Sequence, residues 1–146
     1  MKKIIIYTDG GSRGNPGPAA IGIIFCNEKG EIIKKHAELL GDSTNNEAEY
    51  KAVISALQKF KALFGKKLAS QSELEVKSDS ELLIKQLAGE YKVLDSKIQP
   101  LFLKVWNLKI DFKKVQFKLI SRNKNKIADA LVQEILDDQS REQRLF

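Results

Sequence analysis

Cysteine, histidine and tryptophan are scarce in this sequence of 146 residues, which holds one of each. The single cysteine, Cys26, cannot form an internal disulfide, and with the single histidine, His36, it cannot supply the four ligands of a structural zinc site. No apolar run reaches the roughly 18 residues that a membrane helix needs, and Met1 to Asp9 turns polar too early for a signal peptide. Disulfide-rich secreted scaffolds, membrane spans and zinc fingers are excluded. We expect a reduced, cytoplasmic protein.

The composition is that of one ordinary globular domain with an excess of positive charge. Hydrophobic residues make up 42% of the chain and can fill a core, while Lys and Arg number 25 against 19 for Asp and Glu. Six basic residues and no acid lie between positions 113 and 126. This balance suits a polyanionic partner, although a basic run is more often only a solvated face. We expect one domain over residues 1–138, a frayed tail over 139–146, and a monomer.

The hydrophobic pattern predicts an α/β fold with one five-stranded mixed sheet flanked by helices. Strands are predicted over residues 2–8, 19–27, 31–40, 73–78 and 113–120. Helices are predicted over residues 44–64, 80–88, 96–110 and 125–137, with 65–72 as a polar connection. Thr44 and Glu47 have the spacing of a capping box. Trp106 lies among apolar helix residues and is expected in the core rather than on a base-stacking surface.

Four acids stand where a carboxylate is structurally awkward. Asp9 and Asp79 end predicted strands, Glu49 lies on the buried side of a helix, and Asp129 sits among apolar residues of the last helix. Any one of them alone is more simply a loop acid or a favourable charge near a helix N-terminus. Together at the carboxyl ends of strands, they cannot all stay ionised unless a cation holds them. An all-oxygen ligand set favours Mg²⁺ or Mn²⁺.

Four segments resemble, in the same order, the motifs of the type 1 ribonuclease H family. They are Tyr7–Pro18, Thr44–Tyr50, Ser78–Ser80 and Asn125–Leu131, and together they span nearly the whole chain, from residue 7 to residue 131. The resemblance implies the ribonuclease H-like fold and metal-dependent cleavage of the RNA strand of RNA–DNA hybrids, leaving 5′-phosphate and 3′-hydroxyl ends. It also implies two Mg²⁺ ions, with Mn²⁺ as a substitute.

The resemblance assigns roles to particular residues. Asp9 would bridge both metal ions, Glu49 and Asp79 would complete the shell of one, and Asp129 would help hold the other. The family pattern also implies contacts with the hybrid from the glycine-rich loop and the start of the first helix, namely Gly10, Gly11, Asn15, Thr44, Asn45 and Asn46. Asparagine amides can reach the minor groove and the sugar hydroxyls that distinguish RNA from DNA. The alternative for Thr44, Asn45 and Asn46 is that they only serve the helix start.

Two departures from the family pattern concern the substrate. Many relatives carry a histidine in a loop before the last acid, whereas this chain has Arg122 there, and His36 lies far from any motif. The loop resembles the shorter archaeal type, and Arg122 either contacts the scissile phosphate or is a surface cation. The segment 88–99 is too short for the basic helical insert, the "handle", that some members carry.

Two rival functions remain open at this stage. One is a non-catalytic nucleic-acid-binding domain on the same fold, which the four acids disfavour because negative charge near phosphates weakens binding. The other is a related DNA nuclease or resolvase, which the short chain disfavours.

Overall fold

The computed structural model describes residues 2–145, which form one five-stranded sheet with helices on both faces. The strands are β1 (Lys2–Ser12), β2 (Gly17–Cys26), β3 (Ile32–Ser43), β4 (Ser72–Ser78) and β5 (Lys114–Leu119). The helices are α1 (Asn45–Phe64), α2 (Lys66–Gln71), α3 (Glu81–Leu87), α4 (Gln99–Lys109) and α5 (Lys126–Leu145), with a 3₁₀ turn at Arg122–Asn125. The predicted five-stranded mixed sheet is confirmed.

The strand order across the sheet is β3-β2-β1-β4-β5. β1 to β3 form an antiparallel meander, whereas β4 and β5 run parallel to β1. The carboxyl ends of β1, β4 and β5 therefore meet at one edge of the sheet, which is where the acids of the sequence motifs lie.

Side chains of β1 alternate between the two faces of the sheet, as the pleat requires. Ile4 and Ile6 join the large core beneath α1, α3 and α4, whereas Ile5 and Tyr7 face α5. In the part of the chain that the structure describes, two small buried clusters lie under α5, Ala20–Val132–Leu136 and Ile24–Cys26–Ala128. The sheet thus has one thickly covered face and one lightly covered face.

The first helix begins at the predicted capping box. The Thr44 hydroxyl accepts a hydrogen bond from the Glu47 amide at 3.1 Å, and the Glu47 carboxylate accepts one from the Thr44 amide at 3.1 Å. Both contacts satisfy amides that would otherwise lack partners at a helix start. α1 runs to Phe64 as predicted and ends before Gly65.

The structure corrects three local predictions. Residues 66–71 form the short helix α2 rather than a polar connection, and α5 continues to Leu145 instead of ending at residue 137 in a frayed tail. Trp106 is 41% exposed, and the Lys109 ammonium lies 3.7 Å from its ring centroid, so Trp106 is not a core residue.

Segment 88–98 contains turns and no helix, in agreement with the predicted lack of a handle. Within residues 2–145, no helix is both long and apolar enough to cross a membrane.

Candidate active site

Three carboxylates meet at the carboxyl edge of the sheet. Asp9 lies near the end of β1, Asp79 directly follows β4, and Glu49 projects from the second turn of α1. One oxygen from each lies within 4.8 Å of one oxygen from each of the others. Asp9 and Glu49 are each only 8% exposed. The structure therefore brings together three of the four acids that the sequence singled out.

Without a cation, the carboxylates of this cluster repel one another, and ionising all of them is unfavourable. Burial, followed by the carboxylates of Asp79 and Asp129, raises the pKa of Asp9 to about 8. Burial and the charges of Asp9 and Asp79 also raise the pKa of Glu49 well above its usual range. Like charges in a low-dielectric cleft disfavour ionisation, and a divalent cation removes that penalty. Three carboxylate oxygens at this spacing fit a hard, oxygen-preferring ion.

A glycine in β1, Gly10, allows the first helix to pack closely against the strand. A Cβ on Gly10 would collide with the carbonyl of Ala48, so only glycine allows α1 to approach this closely. The Gly10 amide donates a 2.6 Å hydrogen bond to Oε1 of Glu49. The glycine-rich motif thus fixes the direction of the Glu49 carboxylate.

The fourth acid, Asp129, arrives from the opposite face of the sheet on α5. It lies outside the three-acid cluster, but it lines the same cleft and its carboxylate raises the pKa of Asp9. Asp9 is therefore the acid that interacts with both Asp79 and Asp129. The bridging position that the family resemblance implies for Asp9 stays a prediction.

The glycine-rich loop is tied to the start of α1 through asparagines. Asn15 Oδ1 accepts the Asn45 amide at 2.9 Å, and Asn45 Oδ1 accepts the Ser12 amide at 2.9 Å. The side-chain oxygens of both asparagines thus accept hydrogen bonds within the protein. Within residues 2–145, the side-chain amide of Asn45 donates no hydrogen bond, and it lies exposed at the cleft.

One open cleft of about 490 Å³ contains most of the predicted site. Its lining includes the four acids, Gly10, Gly11, Asn45, Asn46 and Arg122. Asn15 and Thr44 do not line it; they hydrogen-bond to the start of α1.

Sequence reasoning missed some of the cleft. Ser80, Leu82 and Gln133 also line it, and Leu82 is 43% exposed. Leu82 lies in the first turn of α3, three residues after Asp79, so its place could have been inferred from the start of α3. No motif or periodicity points to Gln133.

Arg122 and His36 occupy very different places. Arg122 lies on the 3₁₀ turn, lines the cleft, and its charge lowers the pKa of Glu49 against the larger raising effects. His36 lies in β3 and pairs with Glu38 at 2.9 Å. The sequence-based separation of these residues agrees with their positions.

Comparisons with known proteins give one consistent family. A family model described as "Reverse transcriptase-like" matches residues 7–135. Ribonuclease HI of Halobacterium salinarum is 37% identical over 136 residues, covering 93% of this chain and 65% of that protein. Bifunctional protein Rv2228c of Mycobacterium tuberculosis is 31% identical over 136 residues, covering 92% of this chain and 36% of that protein. The chain therefore spans about two thirds or less of the length of these relatives.

Solved structures agree with this result. LC11-RNase H1, crystallised in complex with an RNA/DNA hybrid, superposes with a TM-score of 0.88 at 44% identity, covering 93% of this chain and 98% of that one. RNase H1 from Halobacterium salinarum superposes with a TM-score of 0.86 at 34% identity, covering 93% of this chain and 98% of that one.

Proposed function

Because this chain belongs to the ribonuclease H family, we propose that it hydrolyses the RNA strand of RNA–DNA hybrids in a metal-dependent reaction. The products would carry 5′-phosphate and 3′-hydroxyl ends. The observation that carries the proposal is the cluster of Asp9, Glu49 and Asp79 at the carboxyl edge of the sheet, with Asp129 beside Asp9. A pure binding domain gains nothing from four acids facing phosphates.

The four acids would hold two Mg²⁺ ions, with Mn²⁺ as a substitute. Asp9, Glu49 and Asp79 would bind one ion, and Asp9 with Asp129 would bind the other. Ions held there would supply an activated water and neutralise the charge that develops on the leaving 3′-oxygen. Glu49, fixed by the Gly10 amide, is held ready before any ion arrives, which reduces reorganisation.

The residues around the acids would place the hybrid. The free side-chain amide of Asn45, with Asn46 beside it, can donate to base edges and 2′-hydroxyls in the minor groove. Gly10 and Gly11 let the strand approach the β1 backbone. Asn15 and Thr44 would act by holding the loop and the helix start in place.

Arg122 would contact a phosphate of the RNA strand. Its guanidinium always carries charge and can bind phosphate oxygens through two hydrogen bonds. It lines the same cleft as the acids, and its loop is anchored to the sheet. Free, buried Cys26 fits the reduced cytoplasm that we propose as the setting, and we propose a monomer as the working form.

The decisive experiment is cleavage of labelled substrates of equal sequence. RNA–DNA hybrid, duplex DNA and duplex RNA are incubated with Mg²⁺, with Mn²⁺ or with EDTA, and the products are resolved on a denaturing gel. We expect RNA cleavage in the hybrid only when a divalent ion is present, and none with Asp79→Asn. Hybrid binding without cleavage would instead support a non-catalytic domain, and cleavage of duplex DNA would support a DNA nuclease.

A further inference from the structure

The fourth acid lies on a helix that packs outside the large core. Within the described residues, the core beneath α1 contains no residue of α5. α5 rests on the sheet through two clusters of three buried residues each, against which partly buried Ile5, Tyr7, Leu131 and Ile135 pack. Farther along the helix, Asp137 pairs with Arg13, which follows β1. Metal ligation needs the Asp129 carboxylate placed more accurately than this packing alone provides, and two further contacts lie beside it.

The first such contact is a close backbone approach at Gly22. Gly22 is the β2 residue that lies opposite Asp9 in the antiparallel register. A Cβ on Gly22 would stand 2.5 Å from the Ala128 carbonyl oxygen and 3.1 Å from Leu131 Cβ. Any larger residue would push the first turns of α5 away from the sheet. The residue after Ala128 is Asp129, so that displacement would act directly on the acid.

The second contact is a buried hydrogen bond from Asn125. Its side chain is only 1% exposed, and Nδ2 donates to the Thr8 carbonyl at 2.9 Å. Oδ1 of the same side chain has no hydrogen-bond partner within residues 2–145. Burying a side-chain amide with its oxygen unpaired costs stability. A contribution to stability alone therefore does not explain why an asparagine is buried here. Thr8 immediately precedes Asp9, so this bond joins the start of α5 to the strand at the bridging acid.

We propose that Gly22 and Asn125 are positioning residues that hold Asp129 against Asp9 and thereby fix the second metal position. The proposal rests on the two-ion site proposed above. The Gly22 contact joins the residue paired with Asp9 to the first turns of α5, and the Asn125 contact joins the neighbour of Asp9 to the residue directly before α5. Neither contact touches α1 or β4, which carry Glu49 and Asp79. Loss of either contact should therefore weaken one metal position and spare the other.

The test measures metal binding directly, without relying on activity. Gly22→Ala and Asn125→Ala are titrated with Mn²⁺ by calorimetry beside wild type and Asp129→Asn. Val105→Ala is the matched control, because it removes buried volume from α4 far from α5. Melting curves without metal show how much stability each variant has lost. The metal concentration for half-maximal hybrid cleavage provides a second readout.

We expect both variants to titrate like Asp129→Asn, with the affinity for Mn²⁺ at that position reduced about 10- to 100-fold. Val105→Ala should keep the wild-type titration even if its melting temperature falls as far. The proposal is overturned if Gly22→Ala and Asn125→Ala titrate like Val105→Ala, or if Asp129→Asn titrates like wild type. If Gly22→Ala does not fold, Asn125→Ala decides the outcome. A wild type that binds Mn²⁺ but leaves hybrid uncut refutes the proposed function, while the titrations still decide this inference.

Discussion

The two faces of the sheet support the candidate site in different ways. Beneath α1, a continuous core of large apolar side chains holds the helix that carries Glu49. Beneath α5, two small clusters, one close backbone contact, one buried hydrogen bond and the ion pair of Arg13 with Asp137 hold the helix that carries Asp129. Asp9, on the strand between them, belongs to both sides.

The difference teaches that a site of four acids need not be equally rigid throughout. A well-filled core resists displacement because its side chains interdigitate at crystal-like density. A helix held by a few specific contacts responds to single substitutions that barely alter burial. We therefore expect changes at Asp9 to affect both sides, and changes on the α5 side to be more selective.

The largest effect should come from Asp9→Asn, which removes the acid shared by both sides. We expect hybrid cleavage in Mg²⁺ to fall by about 10³-fold or more, which corresponds to at least about 4 kcal/mol of transition-state stabilisation. Glu49→Gln, Asp79→Asn and Asp129→Asn should also be severe. Single-turnover cleavage and a parallel binding assay measure rate and affinity separately. Near wild-type turnover in Asp9→Asn would remove this residue from the mechanism.

The same substitution should stabilise the protein when no metal is present. In the folded protein the pKa of Asp9 is about 8 against 3.8 for the free group, so the folded state binds the extra proton between those pH values. The contribution of Asp9 to stability in EDTA should therefore be most favourable below about pH 4 and be lost as the pH rises toward 8. At pH 8, we expect Asp9→Asn to melt about 5 °C above wild type, with a flatter pH dependence.

Added Mg²⁺ should reverse the order of these melting temperatures. An ion that binds the intact folded site would stabilise wild type by RT ln(1 + [Mg²⁺]/Kd), whereas the variant would gain less. Thermal melts from pH 4 to pH 8, with EDTA or Mg²⁺, measure both effects. A variant that melts below wild type in EDTA at pH 8 would contradict the crowding of these carboxylates.

A smaller effect is expected on the α5 side at Arg122. Arg122→Ala should slow hybrid cleavage about 10-fold, the magnitude of one lost charge-assisted contact with phosphate. His36→Ala is the control, since His36 pairs with Glu38 on β3 away from the cleft. Steady-state cleavage of both variants tests the difference. Greater damage from His36→Ala would show that the assignment of the loop is wrong.

The smallest effect concerns two lysines of the basic run. Lys124 is exposed on the 3₁₀ turn, whereas Lys118 lies 3.3 Å from buried Glu75. A lysine already neutralised by an acid releases fewer counterions on binding. Lys124→Ala should therefore reduce the slope of log affinity against log salt by about one, Lys118→Ala by less, and the double variant by the sum. Equal slopes for all four proteins would mean that this run is only a solvated face.

Much of the fold could be predicted because local signals and global packing agree. Local patterns predict several local conformations that are present in the fold. They are the alternation in β1 and β5, the capping box at Thr44, and the glycine-rich loop. The errors arose where polarity was a poor guide to structure: Ala69 of α2 is fully buried, and the exposed last residues of α5 are still helical. Trp106 has the helical spacing of a core residue, but its ring lies at the rim under Lys109.

The acids of the site could be predicted, but their supports could not. Recognisable motifs contain all four acids, Asp9, Glu49, Asp79 and Asp129. Clustered carboxylates at the carboxyl ends of strands also require a cation, which pointed to a metal site. Gly22 lies inside an apolar strand where a glycine reads only as a local weakness. Its role depends on how near α5 approaches, which no spacing along the chain encodes. Asn15 and Asn45 were expected to contact substrate, yet their carbonyl oxygens bond within the protein.

The hydrogen bond from Gly10 to Glu49 has a consequence for coordination number. The amide occupies one lone pair of Oε1 at 2.6 Å and leaves both lone pairs of Oε2, which favours Oε2 as the atom that would ligate an ion. Asp9, Glu49 and Asp79 would then offer about three oxygens to an ion that prefers octahedral coordination by six. About half of the inner sphere would remain for water and for oxygens of the substrate. The backbone hydrogen bond thus favours a site that stays open to exchange.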